Sequence, residues 1–414
     1  MHVLMALWDG AGTVPVEVGV ARRLAAAGHR VTVLAEPSME SVVTAAGARF
    51  RTWEQAPHPV QANLADWECA TPFSLFPRLL ERLATGPSAL FAADVRAVAA
   101  EEAVDAAVVD AALLGALVGT ESLGIPTAVC VPGPSVRPTP GEPPFGSGLS
   151  PGRSAAGRLR DQVVPRLLER LWDLGLRDLN ATRQGLGPKP VGHVWRQLDR
   201  VDRVLLLTAE SFDFPAGQRP ANVRYVGPVL DDPAWAGVGV DPPAGEAPLV
   251  LVGLSTSRTR GAAGLLARVV RALDAAPVRA VVTTGPALPP IPSPRPGIRV
   301  VPSAAHSRLM KEASAVITHG GHGTVIKALA EKRPLLVLPL GRDQPDNAAR
   351  VVWHHAGLRL PSRAEPERIT RAVSELVRDP SYAAAAGELG RRIRAEAGRG
   401  RIVAEIEGMV AARR

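Results

Sequence analysis

Short runs of consecutive apolar residues, each followed by a stretch with helical spacing, recur in both halves of this 414-residue chain. This alternation limits the fold more than any other feature. Residues 3–8 make the first run, Val14, Val18, Ala21 and Ala25 then mark one face of a helix that stops at Gly28, and residues 31–34 make the second run. The pattern returns with 106–109 as strand, 111–123 as helix and 127–131 as strand. Uninterrupted apolar strands are buried on both sides, which requires a parallel sheet with helices on each face.

Less regular pieces are inserted between these units. Residues 55–71 read as a loop, 73–100 as mostly helical, 132–152 as a Pro/Gly-rich connection and 159–179 as a long helix, before a further strand at 204–207. A turn-rich stretch from Asp231 to Gly245 has no apolar period and reads as a linker. The alternation then restarts, with strands at 249–254, 280–283, 315–318 and 335–338 and a helix at 262–273. At about 150 residues per domain the length admits two or three domains. The pattern predicts an N-terminal α/β domain at 1–230, a linker at 231–246, a second α/β domain at 247–395 and a C-terminal helix at 396–414 that packs back on the first. Two such domains face a cleft, with ligands held at the carboxyl ends of the strands.

Composition removes several function classes. Asp105, Asp110 and Glu121 interrupt the most apolar region, so no run reaches the roughly 18 residues of a membrane span. The first nine residues lack a basic segment and end on Asp9, which argues against a signal peptide and for a cytoplasmic protein. Cys69 and Cys130 are too few for a disulfide framework and lack zinc-site spacing. The net charge of +8 comes almost wholly from arginine, with lysine only at 189, 311, 327 and 332. Those arginines are scattered along helices without interleaved aromatics, a solvated surface rather than a nucleic-acid site.

The most informative segment runs Val316-Ile-Thr-His319-Gly-Gly-His322-Gly-Thr324 into an apparent helix at 325–331. A strand that enters a glycine turn and then a helix presents unpaired amides at the positive end of a helix dipole, which suits a diphosphate. Thr324 adds a hydroxyl, and His319 or His322 an imidazole donor. A purely structural turn explains Gly-Gly-x-Gly about as well, and no Gly-Lys-Ser/Thr follows to make it a P-loop. His306, His319 and His322 also admit a metal cluster, although the glycine spacing favours phosphate. Downstream, Asp343-Gln344 at a strand end can accept from and donate to sugar hydroxyls. Asp343 as N-cap, with Pro345 in the first turn and Asp346 at N3, is an ordinary helix start and is compatible with that role.

Together, His319-Gly-Gly-x-Gly-Thr324, Leu-x-Leu-Pro339, Asp343-Gln344 and Asn347-Ala348 with Arg350-Val351 resemble the donor-binding signature of family 1 glycosyltransferases, in particular actinobacterial natural-product enzymes. The residues from Ala21 to His29, Leu206-Leu-Thr208 and Val223-Arg-Tyr-Val-Gly-Pro228 extend the similarity over nearly the whole chain. The resemblance implies the GT-B fold, two Rossmann-like doubly wound domains facing a cleft, with a nucleotide sugar on the C-terminal half and the acceptor on the N-terminal half. It further implies that Ser255, His319, Gly321, His322, Gly323 and Thr324 hold the diphosphate, that Val301 lies where the pyrimidine pairs with backbone, and that Asp343 and Gln344 contact the sugar. The implied reaction is an inverting displacement at the anomeric carbon, with dTDP or UDP leaving and neither metal nor other cofactor required.

One departure matters. The family's base histidine, in the loop after the first strand, is Thr13 here, within Gly10-Ala-Gly-Thr13-Val-Pro15, while Asp110 stands where the histidine-orienting aspartate lies. A threonine is no base near neutral pH. Asp110 or Asp9, both at strand ends, can take the acceptor proton directly given a raised pKa, or they serve only as caps. Glu17, four residues after Thr13, falls on the same helical face or is solvated. Alternatively, the acceptor is an amine or acidic phenol that needs little help, or the chain is a non-catalytic partner of another glycosyltransferase. An epimerase of the same fold is a further alternative, but it requires acid and base residues that the sequence does not show. Trp67, Phe73, Phe76, Phe145 and Trp172 are candidates for an apolar acceptor pocket, or for ordinary packing. A hydrophobic small-molecule acceptor, no nucleic acid or membrane partner, and a homodimer complete the expectations.

Overall fold

A computed structural model describes the chain apart from residues 70–71, 216–218, 233–238, 255–258, 286–287, 289–290 and 414, and apart from the side chains of 72–74. It contains two all-parallel sheets. The first has the order β3-β2-β1-β4-β5-β6-β7, from β1 (His2–Ala6), β2 (Arg30–Ala35), β3 (Arg49–Thr52), β4 (Ala106–Asp110), β5 (Thr127–Val131), β6 (Arg203–Leu206) and β7 (Val223–Tyr225). The second has the order β10-β9-β8-β11-β12-β13, from β8 (Leu249–Gly253), β9 (Arg279–Thr283), β10 (Ile298–Val301), β11 (Ala315–Thr318), β12 (Leu335–Val337) and β13 (Gly357–Arg359). Both are doubly wound, and in each the strand order reverses beside the first strand: at β1/β4 and at β8/β11. Ligands bind outside the strand ends at such points.

The alternating side chains of each central strand feed cores on both faces. On β1, Leu4 and Ala6 enter one core and Val3 and Met5 the other; on β8, Val250 and Val252 face one side and Leu249 and Leu251 the opposite one. The two halves also exchange pieces. Ala209 and Phe212, which lie early in sequence, pack into a core of the second sheet. The terminal helix Arg401–Ala411 returns Ile402, Ile406, Met409 and Val410 to a core of the first. It begins after Gly400 (φ +62°), so the break from the preceding helix Pro380–Ala397 lies a few residues beyond position 396.

Several local expectations shift. The first strand ends at Ala6 rather than 8, and the helix after β4 starts at Leu114. Residues 55–71 are not a plain loop but contain the short helix Val60–Leu64. The long helix starts earlier, at Ala155, and stops at Trp172. Among the described residues, no helix is long and apolar enough to cross a membrane.

Candidate functional site

The second sheet's reversal point is built by the chain that leaves β11. Gly320 sits at φ +100°, and a Cβ there would come 2.8 Å from Val337 and 3.0 Å from the Gln344 carbonyl. Only glycine takes both this conformation and this approach. The helix His322–Ala330 starts immediately after, with Gly321 as its N-cap residue. Among the described residues, no acceptor meets the amides of Gly321, His322 and Gly323. Beyond Gly323 there is open space where a side chain would stand. Unpaired donors at a helix start, with room in front, form an anion cradle.

The His319 imidazole folds over this turn, so that a Cβ on Gly321 would lie 2.9 Å from its Nε2. The ring lies beside the Gly253 backbone, and among the described residues its buried Nδ1 has no hydrogen bond of normal geometry. Burial pushes the His319 pKa down to about 4, so the ring is neutral near pH 7. His322 turns the other way, toward the first domain, with its ring 3.5 Å from where a Cβ on Gly133 would stand and 5.8 Å from that of Phe212. It too is driven down to about 4 by burial, beside the Asn347 side chain and the Leu207 backbone.

Asp343 and Gln344 open the helix Gln344–Trp353. Gln344 Oε1 accepts from the Leu340 and Gly341 amides at 2.8 and 3.1 Å, which locks the strand-to-helix turn and leaves its amide nitrogen for another partner. Asp343 Oδ2 accepts from Asn347 Nδ2 at 2.7 Å, and the same nitrogen donates to the Gly320 carbonyl at 2.9 Å. Asn347 therefore ties the carboxylate to the glycine turn. Nothing about its type singled it out in the sequence beyond its place in the signature. Asp343 makes no side-chain cap hydrogen bond to its own helix, and burial raises its pKa. The Val301 carbonyl already accepts from the Thr284 amide at 3.0 Å. Ser255 lies outside the described residues.

The first domain closes over this helix start. Asp346 accepts from the Gly146 and Gly148 amides at 2.6 and 2.8 Å, Arg359 donates to the Gly148 carbonyl at 2.6 Å, and Arg342 Nε donates to Asp66 at 2.6 Å. The Pro/Gly-rich connection thus straps the first domain onto the second.

At the first sheet's reversal point, Asp110 ends β4 and is 3% exposed. Its Oδ1 accepts from the Trp8 indole at 3.0 Å and from the Ala112 amide at 2.7 Å. Burial raises its pKa, partly offset by these donors. Asp9 is differently placed. Its Oδ1 accepts from the Ala11 amide at 3.0 Å and its Oδ2 from the Ser38 hydroxyl at 2.8 Å, so both oxygens brace the loop after β1. Glu17 is not solvated: it is 0% exposed in the helix Val14–Ala26, beside Asp110 and the Thr13 hydroxyl.

Of the aromatic candidates, Phe76 and Trp172 meet, and Phe145 lies elsewhere. Phe76 packs on the first core, edge-on to Trp172 at 5.1 Å, and Trp172 in turn meets Trp195 at 4.7 Å. Phe145 lines a separate crevice with Phe214, Asp346 and Arg350. Trp67 lies in the turn Asp66–Glu68. Phe73 is on the helix Pro72–Leu79, with its side chain outside the described set. Among the described residues, no group of three or more His, Cys, Asp or Glu side chains is placed to hold a metal ion, and His306 is instead bonded to Thr283 Oγ1 at 2.9 Å.

Two doubly wound domains of this topology make the GT-B architecture. Residues 265–409 match the family model described as erythromycin biosynthesis protein CIII-like, C-terminal domain. The chain is 32% identical over 403 residues to 4'-demethylrebeccamycin synthase of Lentzea aerocolonigenes, covering 94% of each. It is 24% identical over 381 residues to a zeaxanthin glucosyltransferase of Pantoea ananas, covering 88% of this chain and 85% of that one. Among solved structures, the kitacinnamycin glycosyltransferase superposes with a TM-score of 0.78 at 23% identity over 99% of both chains. The calicheamicin glycosyltransferase CalG4 gives 0.75 at 21% identity, over 99% of this chain and 98% of that one. The chain belongs to the actinobacterial natural-product glycosyltransferases of the GT-B fold.

Proposed function

We propose that this chain is a cytoplasmic, metal-independent, inverting glycosyltransferase that moves a hexose or deoxyhexose from a dTDP- or UDP-linked donor to a hydrophobic natural-product acceptor. The observation that carries the reading is the set of amides at Gly321, His322 and Gly323, unpaired among the described residues, beneath the His319 ring. That set meets a diphosphate with donors that need no rearrangement as charge builds on the leaving group. Asp343 and Gln344, fixed at the edge of the same turn, face the sugar.

The acceptor lies on the first domain, where Asp110 takes its proton as the oxygen or nitrogen attacks the anomeric carbon. Relatives support the substrate classes. One spinosyn rhamnosyltransferase structure, 21% identical with a TM-score of 0.64, is complexed with thymidine diphosphate, and another of the same enzyme, at 20% and 0.67, with spinosyn aglycone. The chain most similar over its full length among those named above makes a rebeccamycin-type product by its name.

Thermal unfolding with dTDP and with UDP tests the reading. A ligand that binds only the folded protein at a hundred times its Kd stabilises it by about 2.7 kcal/mol, a few degrees in Tm for a protein of this size. We expect that rise with at least one of the two nucleotides. No rise with either would favour a non-catalytic auxiliary protein.

A further inference from the structure

The Glu17 carboxyl has no evident structural task. It is completely buried on the first turn of the helix after β1, and neither of its oxygens has a hydrogen-bond partner of normal geometry. A carboxylate left so would cost several kcal/mol, and such groups are rare in native proteins unless they carry a proton. The groups that face it are few. Asp110 comes from the end of β4, the Thr13 hydroxyl and, farther off, Asp9 from the loop after β1, and the Cys130 thiol from β5. Among the described residues no cation faces it.

The two neighbouring carboxyls are not equivalent. Asp110 collects the Trp8 indole N–H and the Ala112 amide on one oxygen, while Glu17 collects neither a backbone nor a nitrogen donor. Two carboxyls in contact in a buried place hold a proton between them, because both cannot ionise. The donors decide which one is charged: the charge settles on Asp110 and the proton on Glu17. Burial and the Asp110 charge both raise the Glu17 pKa well above its usual value, and the Glu17 bond lowers that of Asp110, in the same sense.

We propose that Glu17 is the positioning residue of the transfer reaction, a neutral carboxylic acid whose O–H donates to Asp110 and holds it ionised and aimed at the acceptor. This inference rests on Asp110 being the base. It reverses the arrangement implied by the family resemblance, in which an aspartate orients a histidine base: with Thr13 in the histidine's place, the aspartate becomes the base and a second acid orients it. In the reaction the acceptor X–H bond breaks and its proton passes to Asp110. The X lone pair forms the bond to the anomeric carbon, and the bond from that carbon to the diphosphate oxygen breaks with its electron pair on the leaving nucleotide. Asp110 then returns the proton to solvent, and the Glu17 proton is not consumed.

The test compares Glu17→Gln and Glu17→Met through the pH profile of kcat. An amide still donates to Asp110, so Glu17→Gln is expected to lose only several-fold and to keep the acidic limb within about half a pH unit. Methionine donates nothing, and the acidic limb is expected to rise by about one to two pH units, the weight of a hydrogen bond to a charged group. An unmoved limb in Glu17→Met overturns the proposal, as does a loss in Glu17→Gln as deep as that of Asp110→Asn. Infrared difference spectra give a reading independent of turnover and of the variants' folding. A protonated-carboxyl stretch present at pH 7 in the wild type and missing in Glu17→Gln is expected, and its absence from the wild type also overturns the proposal. If the band is present but Asp110→Asn remains fully active, the proton is where we place it and the assignment of the base is what fails.

Discussion

Asp110→Asn is expected to lower kcat by at least ~100-fold, the lower range for loss of a positioned general base. The substitution is nearly isosteric, and an amide oxygen can still accept from Trp8 Nε1 and the Ala112 N–H, which hold Oδ1 at 3.0 and 2.7 Å. What it cannot do is take a proton. Because the proposed donor cradle is on the other domain, KM for the nucleotide sugar should stay nearly constant, a pattern that separates lost chemistry from lost binding. Initial rates over a range of donor concentrations check both kcat and KM. Full activity in the variant would remove Asp110 from the role. Asp9 would be next, although the Ala11 amide and the Ser38 hydroxyl already occupy its oxygens.

His319→Ala is expected to cost about 10²–10³ in kcat, the usual penalty for removing one preorganised donor from developing negative charge. With its pKa near 4 the ring is neutral at pH 7, and the tautomer with its proton on Nε2, the nitrogen facing Gly321, donates toward the turn. A neutral donor of this kind strengthens its bond as the diphosphate gains charge. The thermal stabilisation by dTDP or UDP should shrink in parallel, since the same nitrogen meets the ground-state phosphate. Steady-state rates and melting curves on the same preparation check both. Retention of wild-type kcat would place the ring outside the reaction.

The central strands were legible in the sequence because burial on both faces leaves them as unbroken apolar runs: β1, β4, β5, β8 and β11 lie near where the runs put them. The edge strands β3, β7, β10 and β13 were not. They are short, and each carries an arginine, at Arg49 and Arg51, Arg224, Arg299 and Arg359, because an edge is partly solvated and blunted by charge. The glycine turn after β11 and the helix start behind it could be read because that geometry depends on consecutive residues. The Asp110 neighbourhood could not, because Trp8, Glu17 and Asp110 meet only when β1 and β4 pair, and burial is what makes Glu17 unusual. Spacing placed Glu17 on the face of Thr13 without saying whether that face was wet. Phe76 and Trp172 pack on the first core, and a side chain that packs on a core looks in sequence like one that lines a pocket.

The most direct test of the account is a crystal of the chain soaked in dTDP or UDP. Diphosphate density is expected within hydrogen-bond reach of the Gly321, His322 and Gly323 amides and of His319 Nε2. Nucleotide bound elsewhere, or that crevice filled by the protein's own side chains at saturating nucleotide, would contradict it.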